Sequence, residues 1–528
     1  MTQRALLLAL TLAVSPVAGL GAEPPRASAP LLHGTLDLGL EDAVEMALEN
    51  NLGVQVDRFD PLIAGLDADA AWGAFDPTFF GEFGYLDDKT PNSISFTGTK
   101  QSVIRNSDGV AGFRGLLPLL GTEYEGRFEG SRTTSNSAVE TLSPRYESGW
   151  TLSLRQPLLK DLIWSQPWTQ VRTTRINANG ALEEFRSAVM NLVQSVEDAY
   201  WQLSADEEEV RVAIKSLETA DALLDQTRTQ FEVGVVSRVE VTEAEAGLEA
   251  RRFNLIVAEN RYRNQQDVLI DLVLGPGLHA TSTLEIDPTD HPEAYVAYEI
   301  DVAEAVNNAF EHRPELSAAR LRVENTGIQK QAAWNQRLPE LDAVLSYGEE
   351  GLAGTTNPNC IPFPGGPACP EVRGNLSDTT RLYDDNPAFS VRAQFSIPIP
   401  NTAARKTYDR RELEQQRAQT RLRQLEQQII LEVRRASRNL EAAQSGIESA
   451  RRAAEASQEQ LRAERIRLEY GESTPFDVLL REEKLVDREV DRIEAYRAYQ
   501  SSATALDRAQ GTILRNRNIR IEAASSLR

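Results

Sequence analysis

An internal duplication constrains this chain more than any local feature. "LEDAVEMALENNL" at residues 40–52 aligns with "VAEAVNNAFEHRP" at 302–314, which pairs Ala43 with Ala305, Val44 with Val306, Ala47 with Ala309 and Glu49 with Glu311. "LRQPL" at 154–158 aligns with "FSIPI" at 395–399. "FEVGVVSRVEV" at 231–241 aligns with "LEYGESTPFDV" at 468–478, with Gly234 falling on Gly471. Three matches in one order mean that one plan is used twice, so each half must hold the same elements in the same succession.

That plan reads as helix, strands, long helix, turn, helix. In the first repeat, 38–274, the periodicity predicts a helix over 40–72, strands between 77 and 158, and helices over 165–233 and 238–273. The second repeat, 300–514, gives a helix over 300–336, strands over 340–399 and helices over 403–470 and 475–514. Linkers are expected at 23–37 and 275–299, and a tail at 515–528. No proline stands between Pro167 and Pro276, and Gly446 is the only glycine from Arg405 to Tyr470. These runs are rich in Ala, Gln, Glu, Arg and Leu, all good helix formers.

Helices this long must lie against other helices. In "RAQTRLRQLEQQIILEVRRASRNLEAAQ" narrow apolar stripes are separated by charged faces, which suits helices packed side by side with water on both remaining sides. A hollow helical cylinder has that property, as does an ordinary coiled coil. Length separates the two. A helix of roughly 68 residues reaches about 100 Å at 1.5 Å per residue, and the two shorter helices of each repeat, stacked end to end, sum to about the same.

"FSVRAQFSIPIP", 389–400, alternates with period two, so that Phe389, Val391, Ala393 and Phe395 share one face and Ser390, Arg392, Gln394 and Ser396 the other. Trp150, Leu152 and Leu154 do the same against Thr151, Ser153 and Arg155. Phe79, Phe83 and Tyr85 group together, as do Leu341, Ala343, Leu345 and Tyr347. Either a soluble sheet with one buried face or a membrane barrel alternates in this way. No run of 18 apolar residues follows residue 22, so a membrane-spanning role would have to use strands closed into a barrel. In that barrel Trp150, Leu152, Leu154, Phe389, Val391 and Phe395 face lipid. Four strands per chain are the first expectation. "FRGLLPLLGTEYEGRFEGS" alternates like a further hairpin, which either adds two strands to the wall or folds apart from it. Four strands cannot close alone, because single-chain barrels start at about eight, so copies must pool them.

Composition narrows the partners. A net charge of −23 and a pI near 4.8 argue against a nucleic-acid surface. Residues 1–22 have the layout of a secretory signal: Arg4, the apolar run "ALLLALTLAV", then small residues through Ala22. No Cys follows that could carry a lipid anchor. An exported chain meets an oxidising compartment, so Cys360 and Cys369, in "CIPFPGGPAC", are expected to form a disulfide. His33, His279, His291 and His312 are scattered, and no GxSxG, HExxH or phosphate-binding loop occurs. No catalytic group, metal site or cofactor is expected.

The duplicated helix starts, the "RQPLL" strand end and the two glycine turns together resemble the outer membrane efflux protein family, the TolC-like outer membrane factors, over about residues 38–514. The resemblance implies a mainly α fold with membrane β: a homotrimeric outer-membrane β-barrel continued by a periplasmic α-helical barrel. It implies passive transport as the exit duct of a tripartite efflux pump or type I secretion system. The partners it implies are outer-membrane lipid, a periplasmic adaptor (membrane fusion) protein and an inner-membrane transporter. The turns would form the periplasmic tip. There Gly234 and Gly471 end helices, Ser237 with Glu240 and Thr474 with Asp477 read as helix caps, and Pro475 stands at a first helical position. By resemblance Asp477 sits at the constriction with Glu240 as its counterpart, and Arg238 is placed to offset their charge. Leu480 replaces a second acidic position, which departs from the family pattern. The competing reading is a soluble periplasmic coiled-coil adaptor or envelope-bridging protein.

Overall fold

The computed structural model describes residues 33–91, 100–275, 283–293, 295, 297, 299–362, 368–383 and 386–521. The expected signal segment at 1–22, His279 and the end of the tail at 522–528 lie outside the described residues. In chain order the elements are β1 (His33–Leu38), α1 (Leu40–Asn50), α2 (Leu52–Asp57), α3 (Phe59–Ala70), β2 (Thr78–Pro91), β3 (Gln101–Leu116), β4 (Glu123–Ser135) and β5 (Leu142–Pro157). Then come α4 (Gln166–Glu232), α5 (Arg238–Leu274), β6 (Thr283–Pro288), α6 (Val302–His312), α7 (Pro314–Asn335), β7 (Glu340–Thr356) and β8 (Pro387–Ser396). The chain finishes with α8 (Thr402–Glu469), α9 (Pro475–Gln510) and α10 (Ile513–Asn516).

The described chain forms two compact units. One comprises Met1–Gln55, Leu192–Tyr298 and Leu440–Thr504. Its core is built between helices: Ala220 and Leu224 of α4 pack on Ala244 and Leu248 of α5, and Leu223 of α4 packs on Leu461 of α8 with Val478 and Leu479 of α9. Beside them β1 pairs in parallel with β6, from His33 opposite Thr283 to Leu38 opposite Pro288. These strands occupy segments expected to be linkers. Two short runs far apart in sequence form a ladder only because the fold closes on both of them. Leu38 and Ile286 are buried, the Tyr200 hydroxyl donates to the Leu38 carbonyl at 3.0 Å, and the Tyr262 hydroxyl donates to the Ile286 carbonyl at 3.0 Å.

The other unit comprises Val56–Asn191, Glu299–Asn439 and Ala505–Arg528. It holds one antiparallel sheet of six strands in the order β2-β3-β4-β5-β7-β8. The expectation of four strands is therefore corrected to six, because the β3–β4 hairpin is long enough to pair along both neighbours. It meets β2 from Thr78 opposite Arg114 to Pro91 opposite Gln101, and meets β5 from Glu123 opposite Arg155 to Thr133 opposite Arg145.

The helices expected over 40–72 and 300–336 are each interrupted, and at aligned positions. Asn51 is extended (ψ 120), and its side-chain oxygen accepts from the Val54 N–H at 3.2 Å. Arg313 is extended (ψ 119) ahead of Pro314, which cannot donate into a preceding turn and so starts a new helix at its first position.

Candidate functional site

Six strands in register place the alternating side chains in rows. One row crosses the whole sheet: Phe79, Phe113, Gly126, Leu152, Tyr347 and Phe389 stand opposite one another in successive strands. The adjacent row on the same face carries Gly115, Tyr124, Leu154, Leu345 and Val391. Trp150 lies opposite Phe128, and Phe395 opposite Leu341. In the single chain Phe79 is 78% exposed, Phe389 68% and Val391 65%. A contiguous apolar band of that size does not belong in water. The opposite parity carries Arg114, Glu125, Arg127, Thr151, Ser153, Ser346, Ser390 and Arg392, a polar face.

Close packing on the apolar face requires glycine at Gly126, where a β-carbon would lie 2.6 Å from the Phe113 ring. At one end of the polar face the Arg155 guanidinium gathers three carboxylates. It donates to Asp342 at 2.8 and 2.6 Å, to Glu340 at 2.8 Å and to Glu123 at 3.2 Å. Asp342 is fully buried there, so the arginine supplies the charge that water no longer can. At the other end the connections are braced. Cys360 and Cys369 are bonded with Cα atoms 6.3 Å apart, and the Asn357 side-chain amide donates to the Ser137 and Glu140 carbonyls at 2.7 Å. The hydroxyls of Thr379 and Tyr383 meet Ser148.

The two glycine turns belong to the other unit. Gly234 (φ 80) and Gly471 (φ 73) adopt the left-handed conformation that costs a glycine least. Each closes a Schellman motif: Gly234 N–H donates to Phe231 O at 3.0 Å and Val235 N–H to Gln230 O at 2.8 Å, matched by Gly471 to Leu468 at 3.0 Å and Glu472 to Arg467 at 2.8 Å. The following helices are capped by their own side chains. The Ser237 hydroxyl accepts from Glu240 N–H at 3.4 Å while Glu240 reaches back to Ser237 N–H at 3.3 Å, a capping box. The Thr474 hydroxyl accepts from Asp477 N–H at 3.2 Å and donates to its carboxylate at 2.7 Å, with Pro475 as first helical residue.

Both acidic groups are thus committed within their own turns. Among the described residues no hydrogen bond or ion pair joins Glu240 to Asp477, and Arg238 has no carboxylate partner. Sequence reasoning missed the apolar residues around them: Val233, Val235, Val239, Tyr470 and Phe476 are all strongly exposed, as is Leu480 to a lesser degree. The signal was present as valines in a turn that has no core to bury them.

Between the helices lies a buried acid. Glu482 of α9 is 3% exposed and one of its carboxylate oxygens has no hydrogen-bond partner. Burial pushes its carboxyl up from the usual 4.5, against the opposing pull of Arg465 of α8, Arg251 of α5 and the hydrogen bond from Thr219 of α4. Since the folded value lies above the unfolded one, the native state holds the proton more tightly. Stability then falls as pH rises from about 4.5 through the raised value. Glu482→Gln is therefore expected to raise the urea midpoint at pH 7 and to leave it nearly unchanged at about pH 4. Equal effects at both pH values would count against this account.

Solved structures share the overall fold. The CmeC outer membrane channel of Campylobacter jejuni is 15% identical and superposes with a TM-score of 0.62, covering 92% of this chain and 87% of its own. The outer membrane protein VceC of Vibrio cholerae is 17% identical with a TM-score of 0.62, covering 89% of this chain and 96% of its own. The MtrE outer membrane channel of Neisseria gonorrhoeae, solved in an open state, is 16% identical with a TM-score of 0.61, covering 90% and 89%. The family model described as outer membrane efflux protein matches residues 115–273 and 305–512, one match in each repeat. The chain belongs to the outer membrane efflux protein family.

Proposed function

We propose that three copies of this chain form the passive outer-membrane exit duct of a tripartite efflux pump or type I secretion system. The observation that carries the reading is the apolar band running across a sheet whose edge strands, β2 and β8, each leave one side unpaired among the described residues. Open edges and an apolar face are tolerated in lipid only when copies close the ring, which leaves the polar face around a wet lumen. Trp150, Leu152, Leu154, Phe389, Val391 and Phe395 then contact lipid.

Residues 38–274 and 300–514 act as the two repeats, and 1–22 is removed on export. No step of the transport needs a catalytic group, because the energy comes from an inner-membrane transporter reached through a periplasmic adaptor. Exposed Val233, Val235, Val239, Tyr470 and Phe476 supply an apolar surface for that adaptor at the turns. Three copies of Glu240 and three of Asp477 form acidic rings that favour cations at the constriction. Light scattering in detergent should return a trimer. A monomer, or a protein that dissolves without detergent, would overturn the duct.

In planar bilayers the double variant Glu240→Ala, Asp477→Ala should lose cation preference, read as a shift in reversal potential across a salt gradient. Ser237→Ala with Thr474→Ala is the control, because each loses about 1 kcal/mol of capping yet keeps the charges. Unchanged selectivity in the double variant removes both acids from the constriction.

A further inference from the structure

We infer that the β3–β4 hairpin is part of the pore wall, so that the assembled barrel holds a multiple of six strands, eighteen for three copies, around a correspondingly wide lumen. The inference rests on the trimeric duct proposed above but is separable from it. It starts from the ladder: β3 and β4 fill the whole space between β2 and β5, and β2 makes no direct pairing with β5.

The faces agree with that placement. A hairpin standing off the wall in water would have no need of an apolar face at the height of its neighbours' apolar band. This hairpin sets Phe113 beside Phe79, Phe128 beside Trp150 and Tyr124 beside Leu154, while Arg114, Glu125, Arg127 and Glu129 share its other side. Its two strands are also locked to each other on the apolar face, where the Phe113 ring lies against Gly126 and the Tyr124 ring against Gly115. Aromatic side chains laid over cross-strand glycines pin register in this way.

The edges complete the argument. With six antiparallel strands, β2 and β8 run in opposite directions, so β8 of one copy meets β2 of the next as an antiparallel pair. Every residue of β8 is exposed in the single chain, and prolines stand only at the outer limits of the two edges, Pro387 at the start of β8 and Pro91 at the end of β2. Pairing there continues the band from Phe389, Val391 and Phe395 onto Phe79, Phe83 and Tyr85. Barrel diameter grows roughly linearly with strand number, so eighteen strands give a wall about half again as wide as twelve.

The test is a strand count by electron cryomicroscopy of the full mature protein in lipid nanodiscs, with two cysteine pairs as an independent check. Tyr85→Cys with Ser107→Cys, and Ser131→Cys with Glu147→Cys, stand at opposed positions across the β2–β3 and β4–β5 junctions. Eighteen strands and efficient crosslinking at both junctions in isolated outer membranes are expected. Deleting residues 100–137 should reduce the diameter of polyethylene glycol that enters from the outer side by about a third. A trimer with twelve wall strands, or membranes in which either pair fails to crosslink, overturns the inference and leaves the duct standing. A protein that never trimerises overturns the duct as well. If the deletion variant fails to assemble, the strand count and the crosslinks still decide.

Discussion

Arg313→Met is expected to lower stability by about 3 kcal/mol, because it removes the buried arginine of an ion network and leaves two carboxylates to share a single counter-charge. Arg313 is 4% exposed and fastened on three sides: it donates to Glu432 at 2.6 Å and to the two oxygens of Glu315 at 3.1 and 3.2 Å. Arg508 closes the network with bonds to Glu432 at 2.8 Å and Glu315 at 3.1 Å, and Ser187 donates to Glu315 at 3.0 Å. The arginine also occupies the break between α6 and α7, so its loss frees that junction.

Urea titration in detergent, followed by tryptophan fluorescence, measures the effect. Adding Glu315→Gln to Arg313→Met should recover part of the loss, since Arg508 then has one carboxylate to balance in place of two; strictly additive losses would show that the pair is not coupled. The pH dependence follows from Glu315. Burial pushes its carboxyl up, but the hydrogen bonds and charge of Arg313, helped by Arg508, outweigh that and hold it below the usual 4.5. A depressed acid contributes stability that is present above about pH 4.5 and is lost as pH falls through the folded value. The wild type should therefore lose stability on acidification more steeply than the Arg313→Met variant.

Gly511→Ala is expected to cost about 2–4 kcal/mol, through left-handed strain and a steric collision together. Gly511 ends α9 at φ 77 in a Schellman motif, with its N–H on Arg508 O at 3.0 Å and Thr512 N–H on Asp507 O at 2.9 Å. A β-carbon there would stand 2.9 Å from the His312 carbonyl carbon and 3.0 Å from Arg313 N, both backbone atoms that cannot step aside. The first repeat repeats the contact. Gly275 follows α5 at φ 48, and a β-carbon on it would drive into the Asn50 backbone at the end of α1. Gly275→Ala should thus lose a similar amount. The control is Gly446→Ala in the middle of α8, where nothing lies near the new methyl and removing backbone freedom should stabilise by about 1 kcal/mol. A Gly511→Ala protein as stable as the wild type would remove close packing as the reason for that glycine.

The fold class was legible because its signals are local and repeated. Runs without an interior proline stand where α4 and α8 run over Gln166–Glu232 and Thr402–Glu469, Pro167 lying in the first turn of α4, and period-two segments stand where β5 and β8 form. Glycine followed by Ser237 or Thr474 marked the turns for the same reason: capping is settled within a few residues. The strand count was harder to read. "FRGLLPLLGTEYEGRFEGS" alternates like a strand hairpin, but alternation does not say which neighbours a hairpin pairs with.

By itself, then, the sequence determined the duplication, the helical stretches, the two-faced strands and the capped turns, all of which follow from chemistry repeated along a few residues of chain. Only the tertiary structure decided the rest. It placed β3 and β4 within the sheet, joined β1 to β6, set Glu482 among four helices and closed the Arg313–Glu315–Glu432–Arg508 network. Each of these depends on groups distant in sequence meeting away from water, where pairing and burial carry energies that no local pattern encodes.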